Sequence, residues 1–131
     1  MRLIYLVASS PQIHMAARSK KVRDKVVLAY SGGLDTSVAI RWLQQNYDLD
    51  VIAVSINVGQ PGDLQEAVDR AMKIGAIQAY AFNATDDFVK DYVGPSLKAN
   101  AMYMGAYPLA TAIARPLIAK IMVDIARKEG A

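Results

Sequence analysis

Ser31, Gly32 and Gly33, followed at once by Asp35, Thr36 and Ser37, gather hydroxyls, bare main chain and one carboxylate into a short stretch. Such a set suits a phosphorylated ligand. Two adjacent glycines let the backbone take φ > 0 and approach an anion with no Cβ in the way. A helix beginning just after them adds its unpaired first-turn N–H donors and the positive end of its dipole, where a pyrophosphate can sit. The loop matches neither G-x-x-x-x-G-K-S/T nor G-x-G-x-x-G, the two commoner phosphate motifs. A Gly-rich turn without a ligand is the plainer alternative. The unbroken apolar run before the loop, Val26 to Ala29, and the hydroxyls after it count against that alternative.

Asp35 needs a separate argument, because an ionised carboxylate beside a pyrophosphate repels it unless a cation lies between them. Magnesium is a hard ion that binds through one or two carboxylates plus substrate phosphates, so Asp35 is a candidate contact for Mg2+ carried by a nucleotide. The alternative is that Asp35 only complements the helix start, worth about 0.3 to 1 kcal/mol there.

These residues must be positioned by alternating strands and helices. After the loop, Val38, Trp42 and the pair Ala39 and Leu43 recur at helical spacing up to about Asn46, which predicts a core-facing helix. Val51 to Ile56 is nearly continuous in apolar character, as a parallel strand covered on both faces would be. Asp63 with Glu66 makes a capping-box-like start for a helix with Leu64, Ala67, Val68, Ala71 and Met72 on its apolar stripe, ending at Gly75. Ile77 to Phe82 reads as the next strand. Thr85 or Asp86 opens a helix through Val93, stopped by Gly94 and Pro95. Pro116 is expected at a kink, or at the first position of a helix that ends near Gly130 and buries Leu117, Ile118, Ile121 and Ile125. The order implies βαβ units and a parallel sheet with helices on both faces, an α/β fold. Ligands of such sheets bind at the carboxyl ends of the strands, so a nucleotide should bridge the loop at Ser31 and the segment Asn57 to Gly62.

Composition bounds the rest. At 131 residues, 53% hydrophobic and 21% charged, the chain is ordinary for one soluble domain. No run of eighteen apolar residues exists, so no membrane partner is expected. The lack of cysteine agrees with a reducing cytoplasm, the expected location. A sequence pI near 9.2 invites a nucleic-acid reading. Residues 1–25, however, hold Arg2, Arg18, Lys20, Lys21, Arg23 and Lys25 against Asp24 alone, which leaves the other 106 residues at −2. A basic cluster on a tail is a solvated feature, and no nucleic-acid partner is expected. The apolar run that follows Arg2 ends at Ala8 and meets Ser9, Ser10 and Pro11, too short for a signal-peptide core. Met15 is a natural alternative start. Residues 1–21 are therefore expected to be a disordered extension or start-site artefact that includes the lone His14, and residues 22–131 the domain.

Ser-Gly-Gly-x-Asp-Thr after a strand resembles the PP-loop of ATP pyrophosphatases, which cut ATP between the α and β phosphates and transfer AMP. AYSGGLDTS at Ala29 to Ser37, NVGQ at Asn57 to Gln60 and YPLATAIARPLIAK at Tyr107 to Lys120 together resemble the amino-terminal part of the argininosuccinate synthase family. The resemblance runs from about Val22 to Ala131. It implies an adenine nucleotide alpha-hydrolase-like, Rossmann-like fold, and a carbon–nitrogen ligase that joins citrulline and aspartate with ATP, releasing AMP and pyrophosphate in arginine biosynthesis. It also implies that Ala29, Tyr30, Ser31, Gly32, Gly33, Leu34, Asp35, Thr36 and Ser37 hold ATP, that Ile56 contacts the adenine through its backbone, and that Tyr107 helps bind citrulline. Taken by itself, Tyr107 reads as a partly buried aromatic with a backbone partner for its hydroxyl. Arg115 suits a substrate carboxylate or a structural ion pair. Ala112 stands where some members carry serine, and Thr111 beside it offers another hydroxyl.

Members of that family are much longer and assemble as homotetramers. Their next strand, with its Gly-rich loop, follows the position of Ala131 and lies beside the first strand, so Val26 to Ala29 is expected to form an open edge. The chain is accordingly expected to be incomplete, to bind ATP weakly and to lack ligase activity. Another PP-loop enzyme, one that amidates a nucleotide or thiolates tRNA, would account for SGGLDTS but not for Tyr107 to Lys120. A non-catalytic nucleotide-binding module stays open as well.

Overall fold

The computed structural model describes residues 23–131. The expectations about the preceding segment, namely the extension, His14, the Met15 start and the boundary at Val22, lie outside the described residues.

Three strands form one parallel sheet in the order β1-β2-β3: β1 (Lys25–Ala29), β2 (Asp50–Asn57) and β3 (Gln78–Asn83). Val26 stands opposite Val51, and Ile52 opposite Gln78. With a neighbour on each side, β2 is buried continuously from Val51 to Ser55, which explains its unbroken apolar run. Alternation along the strand sends Val51 and Ala53 to one face, where they meet Tyr30, Ile40, Ala71 and Ala76. Val54 goes to the other face and packs with Phe88, Ala114, Leu117, Ile121 and Ile125. Two helices, α1 (Leu34–Tyr47) and α2 (Leu64–Ile74), supply the first layer, and α5 (Ala110–Glu129) forms most of the second. The expected Rossmann-like α/β sandwich is the fold observed.

The details differ in five places. On α1 the core-facing residue is Ile40, with no exposed surface, supported by Leu43, whereas Val38 and Trp42 are 56% and 49% exposed. Helical spacing gives two offset stripes here, and the strand-to-helix turn selects which of them meets the sheet. On α2 the Asp63 carboxylate accepts from the Gln65 N–H at 2.8 Å, but Glu66 does not reach back to complete a capping box. It pairs with Arg70 one turn on. The helix ends as expected at Gly75, whose φ of 124° is unfavourable for other residues and whose N–H donates to the Ala71 and Met72 carbonyls.

Gly94 and Pro95 do not stop the third helical region. After α3 (Thr85–Phe88) the chain widens into a π-helical turn (Val89–Val93) and continues as α4 (Gly94–Lys98). The Gly94 N–H reaches back five residues to the Val89 carbonyl, and Pro95 then sits in the first turn of α4, where its missing donor leaves no bond unmade. Pro116 lies inside the continuous α5 rather than at its start. The buried face of α5 is the expected one, Leu117, Ile121 and Ile125, with Ala114 added and Ile118 partly buried. Between α4 and α5 a small antiparallel pair, β4 (Met102–Tyr103) and β5 (Tyr107–Pro108), makes a hairpin that the sequence did not announce.

α5 closes the domain against β1, where Lys25 Nζ donates to the Glu129 carbonyl at 2.8 Å. On its other side β1 has no strand partner among the described residues, in line with the expected open edge. Among those residues no helix is long and apolar enough to cross a membrane.

Candidate functional site

β1 ends at Ala29, and its last residues are anchored to β2 beyond the ladder itself. The Tyr30 N–H donates to the Val54 carbonyl at 2.8 Å, and Ser55 Oγ donates to the Tyr30 carbonyl at 2.9 Å. Tyr30 is buried, and its phenol oxygen lies 2.9 Å from Ser37 Oγ on α1. Strand end and helix start are thereby tied together around the glycines.

Of the two glycines only Gly32 takes positive φ, 79°, while Gly33 is extended at φ −80° and ψ 174° and serves as the N-cap of α1. Gly33 is constrained in another way. A Cβ there would stand 3.4 Å from Ser31 Oγ, and one on Gly32 would stand 3.5 Å from the Ala67 methyl on α2. Ser31 Oγ lies 3.2 Å from Thr36 Oγ1, which donates to the Gly33 carbonyl at 3.3 Å. No side chain caps the start of α1, so its first-turn N–H groups have no capping acceptor. Asp35 is exposed in that turn, and Leu34 beside it is 79% exposed.

A pocket of about 540 Å³ opens beside this loop, at the carboxyl ends of β1 and β2. Ala29, Tyr30 and Ser31 form one wall, and Ile56, Asn57, Val58 and Gln60 to Asp63 follow from the end of β2. Thr111, Ala114, Arg115 and Ile118 of α5 complete it. The Asn57 to Gln60 turn is pinned by its own side chains. Gln60 Nε2 donates to the Ile56 carbonyl at 2.7 Å, Gln60 Oε1 accepts from the Val58 N–H at 2.8 Å, and Asn57 Oδ1 accepts from the Gly59 N–H at 2.8 Å.

Of the residues singled out in the sequence, the fold thus brings Ala29, Tyr30, Ser31, Ile56, Thr111 and Arg115 to one cavity, with Gly32, Gly33, Asp35, Thr36 and Ser37 forming the adjoining loop and helix start. Tyr107 stands apart. It lies on β5, is 61% exposed and does not line the pocket, so it is no partly buried aromatic either. Arg115 has no carboxylate partner among the described residues, which removes the structural ion pair as its explanation there. Ser55, Asp63 and Arg70 were not singled out for the site. Ser55 carried no signal inside an apolar strand, and Asp63 read only as a helix cap. Arg70 reaches the loop across 38 residues of sequence, a distance no motif spans.

The start of α1 has the chemistry to suit an anion, and the pocket beside it suits a larger, partly apolar group. Among the described residues no group of three or more His, Cys, Asp or Glu could by itself hold a metal ion. Asp35 is a single exposed carboxylate in the first turn of α1.

Comparison with known proteins places these features in a family. A profile described as Arginosuccinate synthase N-terminal HUP domain matches residues 25–131. A protein named argininosuccinate synthase from Clostridium tetani is 60% identical over 109 residues, 83% of this chain and 27% of the relative. Its namesake from Dehalococcoides mccartyi is 58% identical over 108 residues, 82% of this chain and 27% of the relative. One from Dictyoglomus turgidum is 55% identical over 109 residues, 83% and 28% respectively. The chain spans about a quarter of the length of these curated relatives. A strand-anchored SGG loop, a pocket across two parallel strand ends and a match over most of the sequence identify the chain as a member of the argininosuccinate synthase family, within its N-terminal HUP domain.

Proposed function

We propose that this chain supplies the ATP-holding part of an enzyme that ligates citrulline and aspartate, releasing AMP and pyrophosphate. The observation that carries the reading is the single pocket in which the PP-loop strand end, the Asn57 turn and the Thr111 and Arg115 face of α5 meet. A nucleotide laid across the strand ends would set its phosphates at the uncapped start of α1 and its base toward Ile56. Arg115, without a carboxylate partner among the described residues, is free to take the carboxylate of citrulline, with Thr111 beside it.

In this reading the ureido oxygen of citrulline attacks the α-phosphorus, and the bond to the bridging oxygen of the diphosphate breaks. The amine of aspartate then displaces AMP from the adenylated citrulline. The protein works by positioning and charge stabilisation, its loop N–H groups meeting the charge that develops on the departing diphosphate. Magnesium on the nucleotide would neutralise phosphate charge, with Asp35 as its one protein contact from α1.

A helix terminus stabilises an anion by up to about 2 kcal/mol. Enzymes typically lower barriers by about 8 to 23 kcal/mol. We therefore read this stretch, a quarter of the relatives' length, as binding ATP without turning it over. Calorimetry with ATP and an assay of pyrophosphate release in the presence of citrulline and aspartate test both halves. Heat of binding with no citrulline-dependent release is the expected result. No binding would overturn the nucleotide reading, and citrulline-dependent release would overturn the claim of inactivity.

A further inference from the structure

Arg70 sits on α2 one turn after Ala67, the residue whose methyl backs Gly32. Its guanidinium reaches the loop. Nη1 donates to the Gly32 carbonyl at 2.7 Å, and Nη2 is held by the Glu66 carboxylate on the same helix. Arg70 does not line the pocket, so it acts on the loop and not on whatever fills the cavity.

The Gly32–Gly33 peptide is trans, like every other among the described residues. The C=O and N–H of such a unit point in opposite directions. Holding the carbonyl toward α2 turns the Gly33 N–H toward Ser31 Oγ, 3.4 Å away on the pocket wall. That peptide unit is flanked by glycine on both sides, and glycine adopts either sign of φ with little cost. The local chain therefore offers little resistance to a peptide flip. The flipped unit would present a carbonyl oxygen where an anion needs a donor.

We propose that Arg70 is a positioning residue that locks the Gly32–Gly33 peptide in the orientation that gives its N–H to Ser31 Oγ and keeps its carbonyl turned away from the anion site, a role that rests on the nucleotide reading above. Glu66 keeps the guanidinium in place and offsets its charge, so the lock works through geometry more than through attraction for phosphate. A lysine at position 70 could still donate one bond to the carbonyl but would lose the fork that also grips Glu66.

The test compares the unaltered 131-residue chain with Arg70→Met and Arg70→Lys. ATP and adenosine are titrated by calorimetry, and the Gly33 amide is followed without ligand by proton–nitrogen NMR. R70M is expected to shift or split the Gly33 resonance while the Val51 to Val54 amides stay in place. It should weaken ATP about tenfold, the loss of one charge-assisted hydrogen bond, and leave adenosine unchanged. R70K, which can keep one bond to the carbonyl but loses the grip on Glu66, should recover part of that loss and move the Gly33 resonance less than R70M does. Should R70M disturb the β2 amides as well, R70K carries the comparison, with Gly33 the amide expected to move. An unmoved Gly33 resonance overturns the lock, as does unaltered ATP affinity or an equal loss for adenosine. If the unaltered chain takes neither titrant, the nucleotide reading falls, and the Gly33 resonance alone decides the lock.

Discussion

The Tyr30 phenol oxygen and Ser37 Oγ lie 2.9 Å apart, joining the residue that follows β1 to the first turn of α1 across the whole glycine loop. Because the Tyr30 main chain is itself gripped by Val54 and Ser55 of β2, the loop between these residues is held at both ends by the sheet. Preorganisation of this kind is what lets exposed N–H groups act on charge without first reorganising.

Tyr30→Phe removes that bond and keeps the ring in the core. A typical intramolecular hydrogen bond contributes about 1 kcal/mol, so the variant should unfold about 4–8 °C lower. ATP affinity should fall as well, since the first turn of α1 loses its tether. Thermal unfolding followed by circular dichroism checks the first expectation and calorimetry the second. An unchanged unfolding temperature would mean that the bond contributes nothing.

Ile40→Ala and Val38→Ala separate the two stripes of α1. Ile40 has no exposed surface, so truncating it leaves a cavity and should cost about 2–5 kcal/mol. Val38 is more than half exposed, and its truncation should stay within about 0.5 kcal/mol. Urea unfolding of both variants decides the matter. Equal costs would restore the face that spacing alone suggested.

That pair also marks what the sequence could disclose. The order of strands and helices was legible because β2 is apolar throughout and α2 is bounded by Asp63 and Gly75, each a local signal. The facing of α1 was not, because it depends on the direction in which the Gly32 turn leaves the sheet. The π-helical turn before Pro95 was missed for a similar reason, since one widened turn relieves a proline that by rule ends a helix. In the site, the SGG loop declared itself by residue type, and the Asn57 turn by its place at the carboxyl end of the second strand. Arg70 and Ser55 did not, because their partners, Gly32 and Tyr30, are reached only through tertiary packing.

Asp35→Asn distinguishes a metal contact from a helix-start complement. With excess magnesium the variant should bind ATP about tenfold more weakly, the scale seen when a partner of a bound metal is removed. With a chelator present the carboxylate only repels the phosphates, so the same substitution should leave binding unchanged or improve it. Calorimetric titrations in the two buffers give the comparison. Equal losses in both would assign Asp35 to the helix start alone.

Tyr80 provides a pH-dependent brace on the opposite side of the domain. Its phenol donates to Glu129 and accepts from Gln78 Nε2 at 2.7 Å, and Lys128 Nζ lies 5.1 Å from the ring centroid. The hydrogen bond to Glu129, then desolvation and the Glu129 charge, raise the Tyr80 pKa above the ordinary 10.0, with Lys128 opposing. A raised value in the folded state means that the brace contributes fully below pH 10.0 and is lost as the pH climbs through the folded-state value. Tyr80→Phe should therefore lower the urea midpoint at about pH 8, and the gap between the two proteins should narrow as the pH climbs through the raised folded-state value and the phenol loses its proton. The ion pair of Lys25 Nζ with Glu129 Oε2, 3.7 Å long, is common to both proteins, so the difference between them isolates Tyr80. A gap that stays constant across this range would show that the phenol proton does not hold α5 to β3.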